Sequence, residues 1–200
     1  RNIEKILGVL SMPSRKTGQP NAQNGQDLTT QIAHDLPYLR RYARALTGNQ
    51  TSGDNFAAAT LESLLVDVSV LTIGPSPKVG LFHAFHRVWA SAGFPQAEAE
   101  NRMAARAQIH MAQLTHNSRE VLLLHSIEGF SLSDIAIIMQ MDLDEVEILL
   151  ATAVREMAKS VSGRVLVIGD EAIIAMDIVD IVSQIGHGVT GVARTRAEAV

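Results

Sequence analysis

Apolar residues recur three and four positions apart between residues 28 and 160, a spacing that places them on one face of an α-helix. The clearest stripe is formed by Ile32, Leu36, Leu39, Tyr42, Ala43 and Leu46. Gly48 is expected to end that helix, and Asp54 is expected to cap the next one. Because no strand-like alternation interrupts this region, the pattern predicts a helical domain over residues 28–160. We expect two packed halves, 28–90 and 100–160, joined by an alanine-rich helix.

Three compact helices with clear start signals close this region. Their predicted first residues, each with an acid nearby in the first turn, are Asn117 or Ser118, then Ser131, then Asp142. The middle helix is short, and a tight turn at Met141–Asp142 separates it from the last one. This arrangement is typical of a helix-turn-helix.

The pattern changes after the last of these helices. Residues 165–168 form a short apolar run rich in β-branched side chains, which indicates a strand, and residues 189–193 indicate a second. A helical stripe between them ends at Gly186, and Thr195 is expected to start another helix. Two parallel strands cannot bury both of their faces. The sequence therefore predicts the start of an α/β doubly wound domain over residues 163–200, cut short in this chain.

The N-terminal residues 1–27 are interpreted as an extension or linker. Residues 11–27 are rich in Pro, Gly, Asn, Gln and Ser, which favours a loop. Four apolar residues before this loop have the spacing of a short helical arm: Ile3, Ile6, Leu7 and Leu10.

Composition and charge exclude several function classes. Of 200 residues, 17 are Lys or Arg and 21 are Asp or Glu, so the chain has a net charge of −4 and is a poor general binder of nucleic acid. The chain has no cysteine, which excludes disulfides, thiol catalysis and cysteine-bound metals. No apolar run approaches the roughly 18 residues that a membrane span requires. No arrangement of residues indicates a catalytic site.

The last helix of the predicted helix-turn-helix carries a charge that is unsuited to DNA. In DNA-binding proteins of this shape, the first turns of that helix enter the major groove. Here those turns carry four acids, Asp142, Asp144, Glu145 and Glu147, and the first basic residue is Arg155. Carboxylates repel phosphates, and salt only screens the repulsion. Direct DNA binding and a plain helical hairpin stay open as alternatives, but the pattern favours a protein-binding surface.

Residues 28–160 resemble a sigma-factor-like domain of the extracytoplasmic-function type. The block HDLPYLRRYARALTGNQTSGDNFAAATLESLL is similar to the second sigma region, and SREVLLLHSIEGFSLSDIAIIMQMDLDEVEILL is similar to the fourth. Sigma factors melt and read promoters with aromatic and basic side chains that follow the first block. Here that place has the sequence LESLLVDVSVL, which contains neither. The resemblance thus implies a sigma-factor shape without its nucleic-acid-binding side chains.

The C-terminal segment VLVIGDEAIIAMDIVDIVSQIGHGVTGVARTRAEAV resembles the start of a response-regulator receiver domain. In that family, two adjacent acids after the first strand hold Mg²⁺ beside a phosphorylatable aspartate. The resemblance places the metal ligands at Asp170 and Glu171, with Gly169 in the position of the first acid. Mg²⁺ is therefore expected in the intact receiver, and the phosphoacceptor has no counterpart within this chain.

A sigma-like domain followed by a receiver resembles the PhyR family, the general stress response regulators of alphaproteobacteria. The resemblance implies a cytoplasmic two-component regulator. Its receiver is phosphorylated by a histidine kinase or a phosphotransfer protein, and this frees the sigma-like domain to sequester a NepR-like anti-sigma factor. No DNA and no membrane are expected as partners. The alternatives are a DNA-binding response regulator and a degenerate regulator that binds the anti-sigma factor independently of phosphorylation.

Candidate contacts for an anti-sigma partner lie on the last two helices: Ile138, Met141, Val146 and Leu150. The same apolar positions could instead belong to the core. His83 and His86 could form a metal pair, but they have no third ligand nearby in sequence, so a structural role is favoured. Three arginines on the first helix, Arg40, Arg41 and Arg44, form either a solvated face or a site for an acidic partner or the receiver.

Overall fold

The computed structural model describes residues 21–95 and 98–199. Within this range the chain forms eight α-helices, one 3₁₀ helix and two β-strands. The chain divides between Ala153 and Val154 into two compact units. The first unit is helical, and the second contains the end of a helix followed by a β-α-β segment.

The helices of the first unit follow one another with short connections. They are α1 (Asn21–Thr47), α2 (Gln50–Val66), a 3₁₀ helix (Val68–Thr72), α3 (Pro77–Ser91), α4 (Arg102–Met111), α5 (His116–Ser126), α6 (Leu132–Met139) and α7 (Leu143–Val161), whose last turns lie in the second unit. The second unit continues with β1 (Arg164–Ile168), α8 (Ala172–Gln184) and β2 (Gly188–Ala193). The predicted mainly helical fold is therefore confirmed within the described residues.

Aromatic rings build the core of the first half. Tyr42 of α1 and Phe82 and Phe85 of α3 are almost completely buried, and the Tyr42 ring centroid lies 5.4 Å from each of the other two. Tilted and edge-on contacts of this kind suit the quadrupoles of the rings. Gly80 lets α3 approach the 3₁₀ helix closely, because a Cβ there would lie 2.6 Å from the Cα of Leu71.

The start of α2 differs from the prediction. Asn49 caps this helix, with its side chain accepting a hydrogen bond from a backbone N–H of the first turn at 3.0 Å. The predicted cap at Asp54 is wrong, because the helix has already begun and the Asp54 carboxylate pairs with Arg40 and Arg44 of α1. Gly48 ends α1 as predicted, with a left-handed φ of +72°.

Two helices of the second half, α5 and α6, begin at hydroxyl caps. Thr115 caps α5 by accepting a hydrogen bond from the N–H of Ser118 at 3.3 Å, so the predicted start at Asn117 or Ser118 lay too far along the chain. Ser131 caps α6 as predicted, accepting from the N–H of Asp134 at 3.1 Å. A hydroxyl in this position satisfies a backbone donor that has no partner within the helix.

The second unit contains a two-stranded parallel sheet with α8 between the strands. Val165 pairs with Val189 and Val167 with Val192, with a register shift between the two pairs. Apolar side chains on α8 remain exposed, as expected for two strands that cover little area: Ile173, Ile174, Met176, Ile178 and Ile181. The helix predicted from Thr195 is wrong, because the backbone hydrogen bonds of residues 195–199 join positions three apart, as in turns.

The first helix begins earlier than predicted. Since α1 starts at Asn21, the loop predicted over residues 11–27 is wrong for residues 21–27. Extending an existing helix requires no new nucleus, so polar residues of moderate propensity can join it. The rest of that loop and the arm predicted at Ile3, Ile6, Leu7 and Leu10 lie outside the described residues.

Candidate protein-binding surface

A tight turn joins α6 to α7 and completes a helix-turn-helix. Gln140 ends α6 in a left-handed conformation with φ +56°, and the N–H of Met141 donates to the carbonyl of Ala136 at 3.0 Å. These hydrogen bonds satisfy carbonyls at the end of the helix and redirect the chain. Asp142 then lies just before α7, and its carbonyl accepts the N–H of Val146 at 3.1 Å.

The outward side of α7 is acidic. We define the acidic face as Asp142, Asp144, Glu145 and Glu147, all of which are exposed. Two apolar side chains stand among them, Leu143 at 43% exposure and Ile148 at 66%. Within the described part of the chain, no acid of this face takes part in an ion pair or a side-chain hydrogen bond. The negative charge predicted for this helix is therefore available at the surface.

The four predicted partner contacts lie on the inward side of the same helices. Ile138 and Val146 are core residues, with 1% and 0% exposure, so neither can contact a partner in this conformation. Met141 and Leu150 are half-buried and pack against that core. The spacing alone did not distinguish the two sides, because an inward stripe and a groove have the same helical period.

The first half also lacks DNA-binding side chains at the predicted place. The end of α2 and the 3₁₀ helix expose Leu65, Val66 and Val68. Asp67 lies between them, and its carboxylate accepts hydrogen bonds from the backbone N–H and the hydroxyl of Ser69. The hydrogen bond from the Ser69 side chain lowers the pKa of Asp67, so this surface carries a carboxylate.

The three arginines of α1 are paired within the molecule. Arg40 donates two hydrogen bonds to Asp54, at 2.9 and 2.7 Å, and Arg44 donates to the same carboxylate. Arg41 instead reaches the second half and pairs with Glu128. Hydrogen bonding to these carboxylates raises the pKa of Arg40 and Arg41. The basic stripe is therefore largely neutralised by neighbouring acids.

The two histidines of α3 contribute to the interface between the halves. His83 is 5% exposed, and its Nδ1 lies 3.1 Å from the carbonyl of Ile137. Nδ1 of His86 lies 2.9 Å from Oε2 of Glu120, a fully buried carboxylate. Burial, with Glu120 nearby, raises the pKa of Tyr42, whose hydroxyl lies 3.5 Å from the same oxygen. Among the described residues, no three His, Asp or Glu side chains come together as metal ligands.

The predicted magnesium ligands lie at the end of β1. Asp170 and Glu171 are both exposed, and Glu171 directly precedes α8. Carboxylates are the hard oxygen donors that Mg²⁺ prefers, so this pair fits part of a magnesium site. A Cβ added at Gly169 would meet nothing within 4 Å, so an acid would have room there.

Two helical halves that end in a helix-turn-helix define a sigma-factor-like domain, and a β-α-β segment follows it. Two family models match successive parts of this domain: "Sigma2 domain of PhyR" over residues 32–86, and "Response regulator PhyR, sigma-like domain" over residues 111–160. The chain belongs to the PhyR family.

Several relatives support this assignment. The phyllosphere-induced regulator PhyR of Methylorubrum extorquens is 41% identical over 169 residues, which are 84% of this chain and 63% of the relative. The crystallised anti-anti-sigma factor PhyR of Bartonella quintana, complexed with the anti-sigma factor NepR, is 35% identical with a TM-score of 0.71, covering 86% of this chain and 66% of that one. The PhyRSL–NepR complex of Sphingomonas sp. Fr1 is 37% identical with a TM-score of 0.57, covering 66% and 87%.

The chain therefore spans just under two thirds of the length of its Methylorubrum and Bartonella relatives. In the described part of the chain, no helix combines the length and the apolar character that crossing a membrane requires.

Proposed function

We propose that this chain is an adapter that binds an anti-sigma factor of the NepR type and so releases a sigma factor for the general stress response. The observation that carries this proposal is the acidic face, which lies on a helix-turn-helix of the shape that sigma factors use to bind DNA. The Bartonella and Sphingomonas relatives were solved as complexes with NepR, which supports this choice of partner. The proposed function is binding, without a chemical step.

The acidic face accounts for discrimination between an anti-sigma factor and DNA. Duplex DNA carries one negative charge per roughly 1.7 Å of its axis, so the four carboxylates of the acidic face repel this helix start from the major groove. A protein partner can instead match that charge with lysine or arginine. A mimic that kept basic side chains here would compete with the sigma factor for promoters. Repulsion of the wrong ligand is thus part of the specificity.

The first half supports the same interpretation. The place where a sigma factor would carry promoter-melting side chains exposes Leu65, Val66 and Val68, with Asp67 among them. Neither aromatic rings for base stacking nor cations for phosphates are present on this stretch. Neither half of the helical domain therefore favours DNA, and the DNA-binding alternative lacks support.

We extend the proposal to regulation by the receiver. A histidine kinase or phosphotransfer protein would phosphorylate the full receiver and so free the helical domain for NepR. Asp170 and Glu171 are the residues that would hold Mg²⁺, which when bound neutralises charge on phosphoryl oxygens. The side chains of this pair provide the negative charge that attracts the cation.

Gly169 favours a second candidate function. Because a glycine replaces the first acid of the receiver pair, the site has one carboxylate fewer for Mg²⁺. A receiver with weak metal binding would leave NepR binding independent of phosphorylation. Measuring NepR affinity of the full-length protein with and without a phosphoryl donor separates the two candidates, since only the first predicts an increase.

Isothermal titration calorimetry with purified NepR tests the binding proposal. We expect saturable binding by this chain, and the same titration with bovine serum albumin serves as the negative control. Absence of NepR binding at micromolar concentrations, by protein whose circular dichroism is helical, would contradict the proposed function.

A further inference from the structure

Glu128 is an acid buried between the two halves of the helical unit. It lies in the loop between α5 and α6, directly before Gly129, and its side chain has 0% exposure. A carboxylate is seldom buried to this extent unless cations and hydrogen-bond donors compensate for its lost hydration. The compensating groups here come from the other half of the unit.

Arg41 of α1 provides the compensating cation. Its Nε donates to Oε1 of Glu128 at 3.0 Å, and its Nη2 donates to Oε2 at 2.9 Å. The same Nη2 donates to the carbonyl of Ile127 at 3.0 Å. Two parallel N–H···O bonds fix both the distance and the angle between the two groups. The guanidinium therefore holds the loop backbone as well as the carboxylate.

Lys78, in the first turn of α3, holds the same loop through the backbone of Glu128. Its Nζ donates to the carbonyl of Glu128 at 3.3 Å. The same ammonium lies 5.0 Å from the ring centroid of Tyr38 and 4.7 Å from that of Phe130. Cation–π contacts of this length are attractive, especially when they are partly shielded from water. Lys78 thus joins an aromatic ring of each half.

These contacts converge on the loop that leads into the helix-turn-helix. Arg41 and Lys78 are on separate helices of the first half, and Glu128 is three residues before the cap of α6. We call Arg41, Lys78 and Glu128 the cation clasp. The clasp holds two backbone carbonyls of this loop, those of Ile127 and Glu128. The exposed acidic face moves with α7.

We propose that the cation clasp is a positioning device, with Glu128 as its central residue, that fixes the acidic face relative to the first half for a partner that contacts both. The consequence for a partner rests on the proposed function, whereas the consequence for the orientation of the halves does not. A partner that meets two surfaces in one fixed arrangement has less ordering to impose on binding.

Distance measurements on the full chain test this inference. The chain has no cysteine, so Gln31→Cys on α1 and Ala151→Cys on α7, both at exposed positions, can be spin-labelled selectively. The first variant, Glu128→Gln, removes the charge and keeps the shape of the side chain. The second, Arg41→Gln, changes a side chain that is 51% exposed, so it is less disruptive to folding. Arg40→Gln is the matched control, because it breaks a similar bidentate pair that stays within the first half.

We expect one narrow distance distribution in the parent chain and in Arg40→Gln. In Glu128→Gln and Arg41→Gln we expect a broader or second distribution, and NepR affinity lower by roughly tenfold or more, with helicity unchanged. An unchanged distribution in Arg41→Gln would overturn the inference. If the parent chain fails to bind NepR while the distances still broaden in the clasp variants, the clasp stands and the proposed function fails.

Discussion

The helical unit carries two charged faces that differ in how their charge is used. The arginines of α1 are paired with Asp54 and Glu128, so they stabilise the fold. The acidic face of α7 has no ion pair within the described residues. Charge that is neutralised inside the molecule cannot attract a ligand, whereas unpaired surface charge projects a field into solvent. A partner that is attracted by charge should therefore bind the negative acidic face, although the sequence alone also presented a basic stripe on α1.

Reversing the acidic face gives the largest expected effect. The triple variant Asp144→Lys/Glu145→Lys/Glu147→Lys should lose NepR affinity by about 100-fold, because attractive contacts become repulsive ones. The same variant should gain salt-dependent binding to duplex DNA. Asp177→Lys/Asp180→Lys on α8 is the control, since it reverses acids away from the helix-turn-helix. Titrations with NepR and with DNA provide both readings, and equal NepR affinity for the triple variant and the parent would count against the acidic face.

Alanine substitutions on the two sides of α7 distinguish buried side chains that stabilise the fold from exposed side chains that are available to a partner. Val146→Ala should lower the free energy of unfolding by about 2 kcal/mol, because Val146 is fully buried and leaves a cavity. Ile148→Ala should leave stability within about 0.5 kcal/mol of the parent, because this side chain is 66% exposed. Urea denaturation measures both variants. A larger loss of stability for Ile148→Ala than for Val146→Ala would show that the sides are assigned incorrectly.

Placing an acid at position 169 tests the proposed magnesium site. Gly169→Asp has steric room and adds a third carboxylate beside Asp170 and Glu171. We expect Mg²⁺ to bind about tenfold more tightly, since added negative oxygen ligands raise cation affinity. Calorimetric titration with Mg²⁺ measures the change, with Gly169→Asn as the neutral control of similar size. Identical affinities of the Asp and Asn variants would argue against a metal site here.

Removing Asp54, the carboxylate that pairs with Arg40 and Arg44, should have a smaller effect. Asp54→Asn is expected to lower stability by about 1 kcal/mol, a modest value because both arginines are more than a third exposed. The hydrogen bond from Arg40 lowers the pKa of Asp54 in the folded state. The pair therefore stabilises the fold above the ordinary aspartate pKa of 3.8, and its contribution disappears as the pH falls below that value.

Urea denaturation at pH 7 and at pH 3 measures this contribution. The difference between parent and Asp54→Asn should be present at pH 7 and smaller at pH 3. Glu62→Gln, an exposed acid on the same helix, is the control and should show little difference at either pH. A difference that grows at low pH would contradict the pairing.

Local patterns predicted most of the fold. The stripe through Leu39 and Leu46, the cap at Ser131 and the β-branched strand at residues 165–168 each depend on neighbours within a few positions. The acidic face was also predictable, because charge at an exposed helix start can be read directly from the sequence. These features depend little on which distant residues meet in the fold.

Long-range pairs could not be predicted in the same way. Arg41 and Glu128 are 87 positions apart, and His86 and Glu120 are 34 apart, so only the packed helices determine that they meet. The same limit left Ile138 and Val146 open between core and partner contact, since helical spacing identifies an apolar side without identifying what covers it. Asp54 was misassigned for a related reason. An acid near a helix start suits a cap and an ion pair equally, and the neighbouring helix decides between them.

The most direct test of the central claim is the affinity of the full chain for fluorescently labelled promoter DNA at low ionic strength, measured by anisotropy beside NepR. With the four exposed carboxylates of the acidic face, we predict saturable binding to NepR and no sequence-specific binding to the duplex. Tight, specific promoter binding by the parent chain, weakening steeply as salt is added, would contradict the account.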